Sequence, residues 1–148
     1  MRAAFSRIVE AGGSSDAGVT VEGVLVQKML AGGQEIIVGV RRDSRFGPLV
    51  LVGSGGVEVE LMRDVAVGIA PLTRLQAEDM LNATQAGMRL KGWRGVPPGD
   101  REAVLEAMMR LAQAACDFPA ISESEINPLY VLPRGQGALA VDARGLLE

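Results

Sequence analysis

The sequence predicts an α+β fold, a mainly antiparallel sheet with helices packed on one face. Three observations lead there. Apolar runs of strand length come in neighbouring pairs divided by Gly-rich turns, the helical stretches are gathered between those pairs, and the order reads helix, four strands, two helices, two strands. Residues 1–148 carry no repeat, low-complexity tract or linker, so a single domain with one core is expected.

"RAAFSRIVEAGG" sets Phe5, Ile8 and Val9 at helical spacing and halts at Gly12-Gly13, which predicts a short opening helix. "SSDAG", Ser14 to Gly18, reads as a loop. "VEGVLVQKML" and "QEIIVGVRR" are β-rich runs joined by Ala31 to Gly33, the pattern of a hairpin. "GPLVLVG" is a third strand. "VEVEL" is a fourth, with Val57, Val59 and Leu61 on one face and Glu58 and Glu60 on the other, and "GSGG", Gly53 to Gly56, lies between them.

Thr73 and Gln76 in "TRLQ" match a capping box. They open a helix carrying Leu75, Met80, Leu81, Met88 and Leu90 that stops near "KGWRGVPPG". Asp100 is the expected N-cap of the next helix, whose apolar stripe is Val104, Met108, Leu111 and Ala115. Cys116 at its end reads as a small buried hydrophobe, and Met29, Met62, Met80, Met88, Met108 and Met109 read as core packing. "INPLYVL" and "ALAVDAR" flank Pro133 to Gly137 as a second hairpin.

Composition narrows the chemistry. With 15 basic and 18 acidic residues and only 3% aromatics, the chain offers neither a basic groove nor stacking platforms for nucleic acid, and no polybasic membrane patch. No apolar run reaches the span of about twenty residues that crosses a membrane. A single cysteine, with no signal-like opening, predicts a cytoplasmic protein. The absence of histidine removes imidazole ligands, Ser-His and Cys-His nucleophile systems and phosphohistidine from this chain. Oxygen donors remain, and they suit magnesium or manganese better than zinc.

The closing hairpin concentrates such donors. Strand periodicity sends Glu125 and Asn127 to one face, and if the turn is the two-residue Arg134-Gly135, a pair that hairpins do not favour, position 127 falls directly opposite position 142. Opposed Cβ atoms lie about 5 Å apart, close enough for the Asn127 amide oxygen and the Asp142 carboxylate to share a cation, with Glu125 just beyond. A slip of one residue breaks this convergence, and the alternative is turn and edge decoration. "GSGG" either presents backbone amides to a phosphate or is a simple turn. Glu35 is a candidate for a ribose hydroxyl or an ion. Arg41, Arg42 and Arg45 are candidates for phosphates against a solvated-turn reading, and Lys91, Trp93 and Arg94 form a further cluster that a helix end explains equally well.

Taken in order, "GVLVQKML", "GQEIIVGVRRDSRFGPLVLVGSGGVEVELMRDV", "LKGWRG" and "SEINPLYVLPRGQGALAVDAR" resemble the ATP-grasp module of ADP-forming acyl-CoA synthetases. Acetyl-CoA synthetase beta subunits and succinyl-CoA synthetase beta chains share this pattern, and the resemblance runs from about Phe5 to Arg144. It implies that Leu25, Val26, Gln27, Lys28 and Met29 line an adenine pocket, that Glu35 stands in the nucleotide site, and that Gly55 and Gly56 of the glycine block serve the nucleotide. It further implies that Asn127 and Asp142 are magnesium ligands, with Glu125 as the neighbouring active-site acid. Val52-Gly53-Ser54 departs from the family's usual Phe-Gly-Leu while keeping the glycines.

The family couples acyl-CoA, ADP and phosphate to a free acid, CoA and ATP through a phosphohistidine. Because this chain has no histidine, the resemblance places that residue, with the CoA-binding domain, elsewhere in the same or another chain. Only 23 residues precede Val24, so the first ATP-grasp subdomain is absent and the expected object is the C-terminal subdomain, a fragment or a subunit completed by a partner. Alone it is expected to bind ATP or ADP weakly or not at all. Three readings follow: the nucleotide and magnesium half of a ligase, the same module in a protein acyltransferase fusion, and a non-catalytic interaction module, with a second copy of the chain open as a partner.

Overall fold

A computed structural model describes residues 2–13, 21–56 and 64–148. The chain divides into two compact units, Met1–Ala31 and Gly32–Glu148, where the sequence reading treats the whole as one domain. The first unit contains α1 (Arg2–Gly13), which ends at the expected glycine pair. Residues 21–31 have no regular structure, and Leu25, Val26 and Met29 are exposed. The expected strand over 21–30 is therefore not formed, nor is its hairpin. "SSDAG" and "VEVEL" lie outside the described residues.

The second unit explains that failure. Its strands are β1 (Gln34–Asp43), β2 (Gly47–Ser54), β3 (Val65–Ile69), β4 (Ile121–Val131), β5 (Ala138–Ala140) and β6 (Ala143–Leu147). They build one antiparallel sheet in the order β3-β2-β1-β4-β5, with β6 also pairing β4. Both edges of β1 are taken, by β2 and by β4, so the run before it has no vacant edge on β1 to join.

Alternation along β1 buries Ile36, Val38 and Val40, which meet Val50 and Val52 of β2 and Leu129 and Val131 of β4. The helices α2 (Arg74–Asn82), α3 (Gln85–Arg89) and α4 (Arg101–Asp117) cover this face with Met80, Leu81, Leu90, Val104 and Met108. Full burial of each such side chain is worth about 1.5–3 kcal/mol. Cys116 is half-buried, and Met88 is exposed, outside the core expected for it.

The capping box forms as expected, with Thr73 accepting from the Gln76 N–H and the Gln76 side chain accepting from the Thr73 N–H. The helix it opens is shorter than expected. Thr84 ends it by capping α3, its hydroxyl accepting from Gly87 N–H at 2.9 Å and donating to the Leu81 carbonyl. A Cβ at Gly87 would collide with that same carbonyl, so the two helices turn on a glycine. Strand β3 was not expected, because Gly68 interrupts a run of only five residues.

Arg42 is not held for phosphate. Its guanidinium donates to the carbonyls of Ala115 at 2.6 Å and Ile121 at 3.2 Å, closing the C-terminal end of α4. The neighbouring turn follows the bland reading. The Asp43 carboxylate accepts from the Arg45 and Phe46 N–H groups, and those bonds lower its pKa.

Asp64 ties the end of β2 to the helices. Its carboxylate accepts from the Ser54 hydroxyl at 2.6 Å and from the N–H groups of Gln85 and Ala86 at 2.7 and 2.9 Å, while Arg89 donates to the Ser54 oxygen at 2.7 Å. Burial pushes the carboxyl pKa up. The Ser54 and backbone bonds, with the Arg89 charge, outweigh it and hold the group below the usual carboxylate value. A depressed folded pKa adds stability above the unfolded value that is lost as pH falls through the folded one. Asp64→Asn should therefore cost about 1–3 kcal/mol at pH 7 in urea unfolding, and the gap from the parent should narrow below about pH 4. An equal gap at both pH values would show that the ionised form is not what the fold stabilises.

Candidate functional site

The β4 hairpin is built on the turn Pro133 to Gln136, in which Gln136 N–H donates to the Pro133 carbonyl at 2.9 Å. Gly135 takes φ +81, a left-handed geometry that a glycine adopts without strain, and Arg134-Gly135 occupies the centre as expected. Register follows from the turn. Val131 pairs Ala138 and Leu129 pairs Ala140, and beyond the break between β5 and β6 Ile126 pairs Ala143 and Glu125 pairs Arg144.

Positions 127 and 142 fall opposite each other between these segments. Asn127 N–H donates to the Asp142 carbonyl at 3.0 Å, and Val141 N–H donates to the Pro128 carbonyl at 3.1 Å. On the other edge of β4, Ile36 pairs Leu129 while Val38 pairs Ile126, so Asn127 and Pro128 together oppose Ile37. This bulge departs from the uninterrupted alternation used to place Glu125 and Asn127 on one face.

The bulge brings Asn127 to the glycine turn. Its amide oxygen accepts from Gly56 N–H at 3.0 Å, and a Cβ on Gly56 would lie 2.6 Å from the Glu35 carboxylate. Gly55 N–H donates to the Glu35 carbonyl at 3.2 Å, so both glycine amides serve the protein itself. Of the two readings of "GSGG", these bonds fit the turn. The two glycines fix Glu35 and Asn127 in place, and Gly55 lies so close to β1 that a Cβ would stand 2.7 Å from the Ile36 nitrogen.

A cavity of about 480 Å³ opens beside this cluster, lined by Glu35, Ser54, Gly55, Gly56, Arg89 and Trp93. Arg94 stacks over the Trp93 ring at 5.3 Å from its centroid, which accounts for two of the "LKGWRG" candidates without a ligand. Glu35, Gly55, Gly56 and Asn127 are thus brought together, and Asp142, exposed, stands across the ladder from Asn127. Glu125 forms an ion pair with Arg144 at 2.8 Å. Leu25 to Met29 belong to the first unit and form no strand.

A family model described as an ATP-grasp domain matches residues 1–147. The chain belongs to the ATP-grasp domain family. This ATP-grasp chain is 36% identical to the acetate–CoA ligase [ADP-forming] I subunit beta of Pyrococcus furiosus, over 99% of its own length and 62% of that subunit. It is 42% identical to acetate–CoA ligase [ADP-forming] I of Archaeoglobus fulgidus, over 86% of its own length and 18% of that protein. Among solved structures it is similar to the dinucleotide-forming acetyl-coenzyme A synthetase 1 of Ca. Korarchaeum cryptofilum in complex with coenzyme A, Ca-AMPCP and HgCl+. There the TM-score is 0.83 at 39% identity, covering 99% of this chain and 63% of that one. The ATP-grasp chain therefore spans less than two thirds of these relatives.

Sequence reasoning overlooked Ser54, Asp64, Arg89 and Arg144. Arg144 had a signal, since the register that pairs Asn127 with Asp142 also pairs Glu125 with Arg144. For Asp64 no local pattern announces three donors arriving from β2 and α3. Gly55→Ala should destabilise the ATP-grasp fold by about 1–3 kcal/mol in thermal unfolding, because the new methyl group meets β1 backbone. Asn127→Ala should speed hydrogen exchange of the Gly56 amide, and unchanged protection there would show that the bond does not hold the turn.

Proposed function

We propose that this chain is the C-terminal ATP-grasp subdomain of an ADP-forming acyl-CoA synthetase, serving as its nucleotide- and magnesium-binding half. The first ATP-grasp subdomain and the CoA-binding and phosphohistidine domains are supplied by the same or another polypeptide. The observation that carries the reading is the backbone bond between directly opposed Asn127 and Asp142 in a chain matched by the ATP-grasp family over residues 1–147.

The donor set fits magnesium. Asn127 brings an amide oxygen and Asp142 a carboxylate, on residues opposed across one backbone hydrogen bond, and Glu125 and Glu123 carry further oxygens on β4. Among the described residues no three His, Cys, Asp or Glu side chains gather into a cage. This agrees with the usual habit of magnesium, which takes one or two protein carboxylates and completes its shell with phosphate oxygens and water. When bound, the ion offsets the charge that develops on a phosphoryl group in transfer.

The chain's own residues then have distinct tasks. Asn127 and Asp142 hold the ion from opposed strands, and the Gly56 N–H orients the Asn127 amide for it. Glu35 meets a ribose hydroxyl or an ion at the cavity wall, with Gly55 and Gly56 keeping its carboxylate and backbone in place. Leu25, Val26, Gln27, Lys28 and Met29 serve the adenine, mostly through backbone groups. Glu125 is the acid beside the transferring group. Support comes from the Korarchaeum structure, which contains a calcium-bound nucleotide analogue and coenzyme A.

Mg-ADP titration of the 148-residue chain should show weak binding or none. In a ligase completed with the missing subdomain, Asp142→Asn should weaken Mg-ADP by about tenfold or more by calorimetry. Equal affinity of parent and variant in that completed ligase would remove the magnesium role.

A further inference from the structure

We propose that Arg144 is a positioning residue of this site, holding Glu125 and Glu123 and setting the charge that a divalent cation meets there. The inference rests on the magnesium reading of Asn127 and Asp142. Arg144 stands directly across the β4–β6 ladder from Glu125. Its Nε lies 2.8 Å from a Glu125 carboxylate oxygen, and its Nη2 donates to Glu123 at 3.3 Å.

The face is fixed by the core. Ile126 packs with the cluster under the helices, so Glu123 and Glu125, at alternate positions, project from the opposite face of β4. There Glu125 lies against Gly39, where a Cβ would come 3.3 Å from that of Glu125. The two acids are comparatively sheltered, with side chains 22% and 30% exposed, whereas that of Arg144 is 70% exposed. Two carboxylates two residues apart on one strand repel each other, and one forked guanidinium restrains both.

Asn127 is two residues from Glu125 along β4, and Asp142, in the break before β6, is two residues from Arg144. The ion pair is thus the next polar step along the hairpin from the proposed cation ligands. A positive charge placed there opposes a second cation, while its fork keeps the Glu125 carboxylate against the sheet. Removing it has two effects of opposite kind: the site becomes more negative, and Glu125 loses its restraint.

A residue that merely stabilised the strand would not strengthen cation binding when lost. The test uses Mn2+ in the presence of saturating ADP as probe, read by electron paramagnetic resonance in the ligase completed with the missing subdomain, with circular dichroism melts as the folding control. Arg144→Ala should bind Mn2+ about three- to tenfold more tightly, the effect of one unit charge roughly 8–10 Å away in aqueous surroundings. Arg144→Lys, which keeps the charge, should return the affinity to that of the parent. Glu125→Gln in the Arg144→Ala background should abolish the gain.

Unchanged or weaker Mn2+ binding by Arg144→Ala, with Asp142→Asn weakened as expected, would overturn the role of Arg144 and leave the cation site standing. If the completed parent ligase shows no saturable Mn2+ binding, or binds it no better than its Asp142→Asn variant, the magnesium reading falls and this proposal falls with it. A gain in Arg144→Ala that persists in the double variant would also overturn it, because the charge would then act without Glu125.

Discussion

Strand β4 is paired along both edges, and the rest of the second unit depends on that double pairing. One edge follows β1, whose valines form the centre of the core, and the other follows β5 and β6. The two edges do not keep the same count. Against β1, two residues of β4 oppose one, so that Ile126 and Leu129 both pack toward the helices although three positions apart. Against β5 and β6 the register runs without slip from Val131 to Glu123. The extra residue is absorbed at Asn127-Pro128. The Asn127 amide thus sits where the sheet accommodates a mismatch in its own core.

Burial of polar groups on the helix side is matched by full pairing. Asp64, Thr84 and Ser54 lie inside, and each has partners in the backbone or another side chain. Among the described residues no buried side-chain nitrogen or oxygen lacks a hydrogen bond. This is the condition under which polar groups specify a fold, because any rearrangement that breaks one bond leaves a desolvated group behind.

Much of this was legible because local rules were sufficient. The capping box at Thr73, the cap at Asp100 and the turn at Arg134-Gly135 each depend on residues within a few positions, and each formed. The Asn127–Asp142 pairing followed from that turn alone. Elements that depend on distant partners were read less well. "VEGVLVQKML" has the composition of a strand, but composition supplies no free edge, and both edges of β1 belong to segments elsewhere in the sequence. The helix after Thr73 kept its apolar spacing through Leu90, yet Thr84 and Gly87 divide it because Gly87 must pass the Leu81 carbonyl. For the glycines of "GSGG" the sequence left a phosphate nest and a turn open, and close packing on β1 with a bond to Asn127 accounts for them as a turn whose Gly55 and Gly56 amides are engaged within the protein.

Asp100 joins two of these local solutions. One carboxylate oxygen accepts from Ala103 in the first turn of α4 and the other accepts from Gly137 at 2.8 Å, just past the hairpin turn, while the Asp100 N–H donates to the Leu132 carbonyl. A single side chain therefore sets both where the long helix begins and where the hairpin leaves its turn. Five residues beyond Gly137 lies Asp142. An inherited change at position 100 would reach the Asn127–Asp142 pairing by shifting the segment that delivers Asp142, so constraint on that pairing extends to a residue outside it.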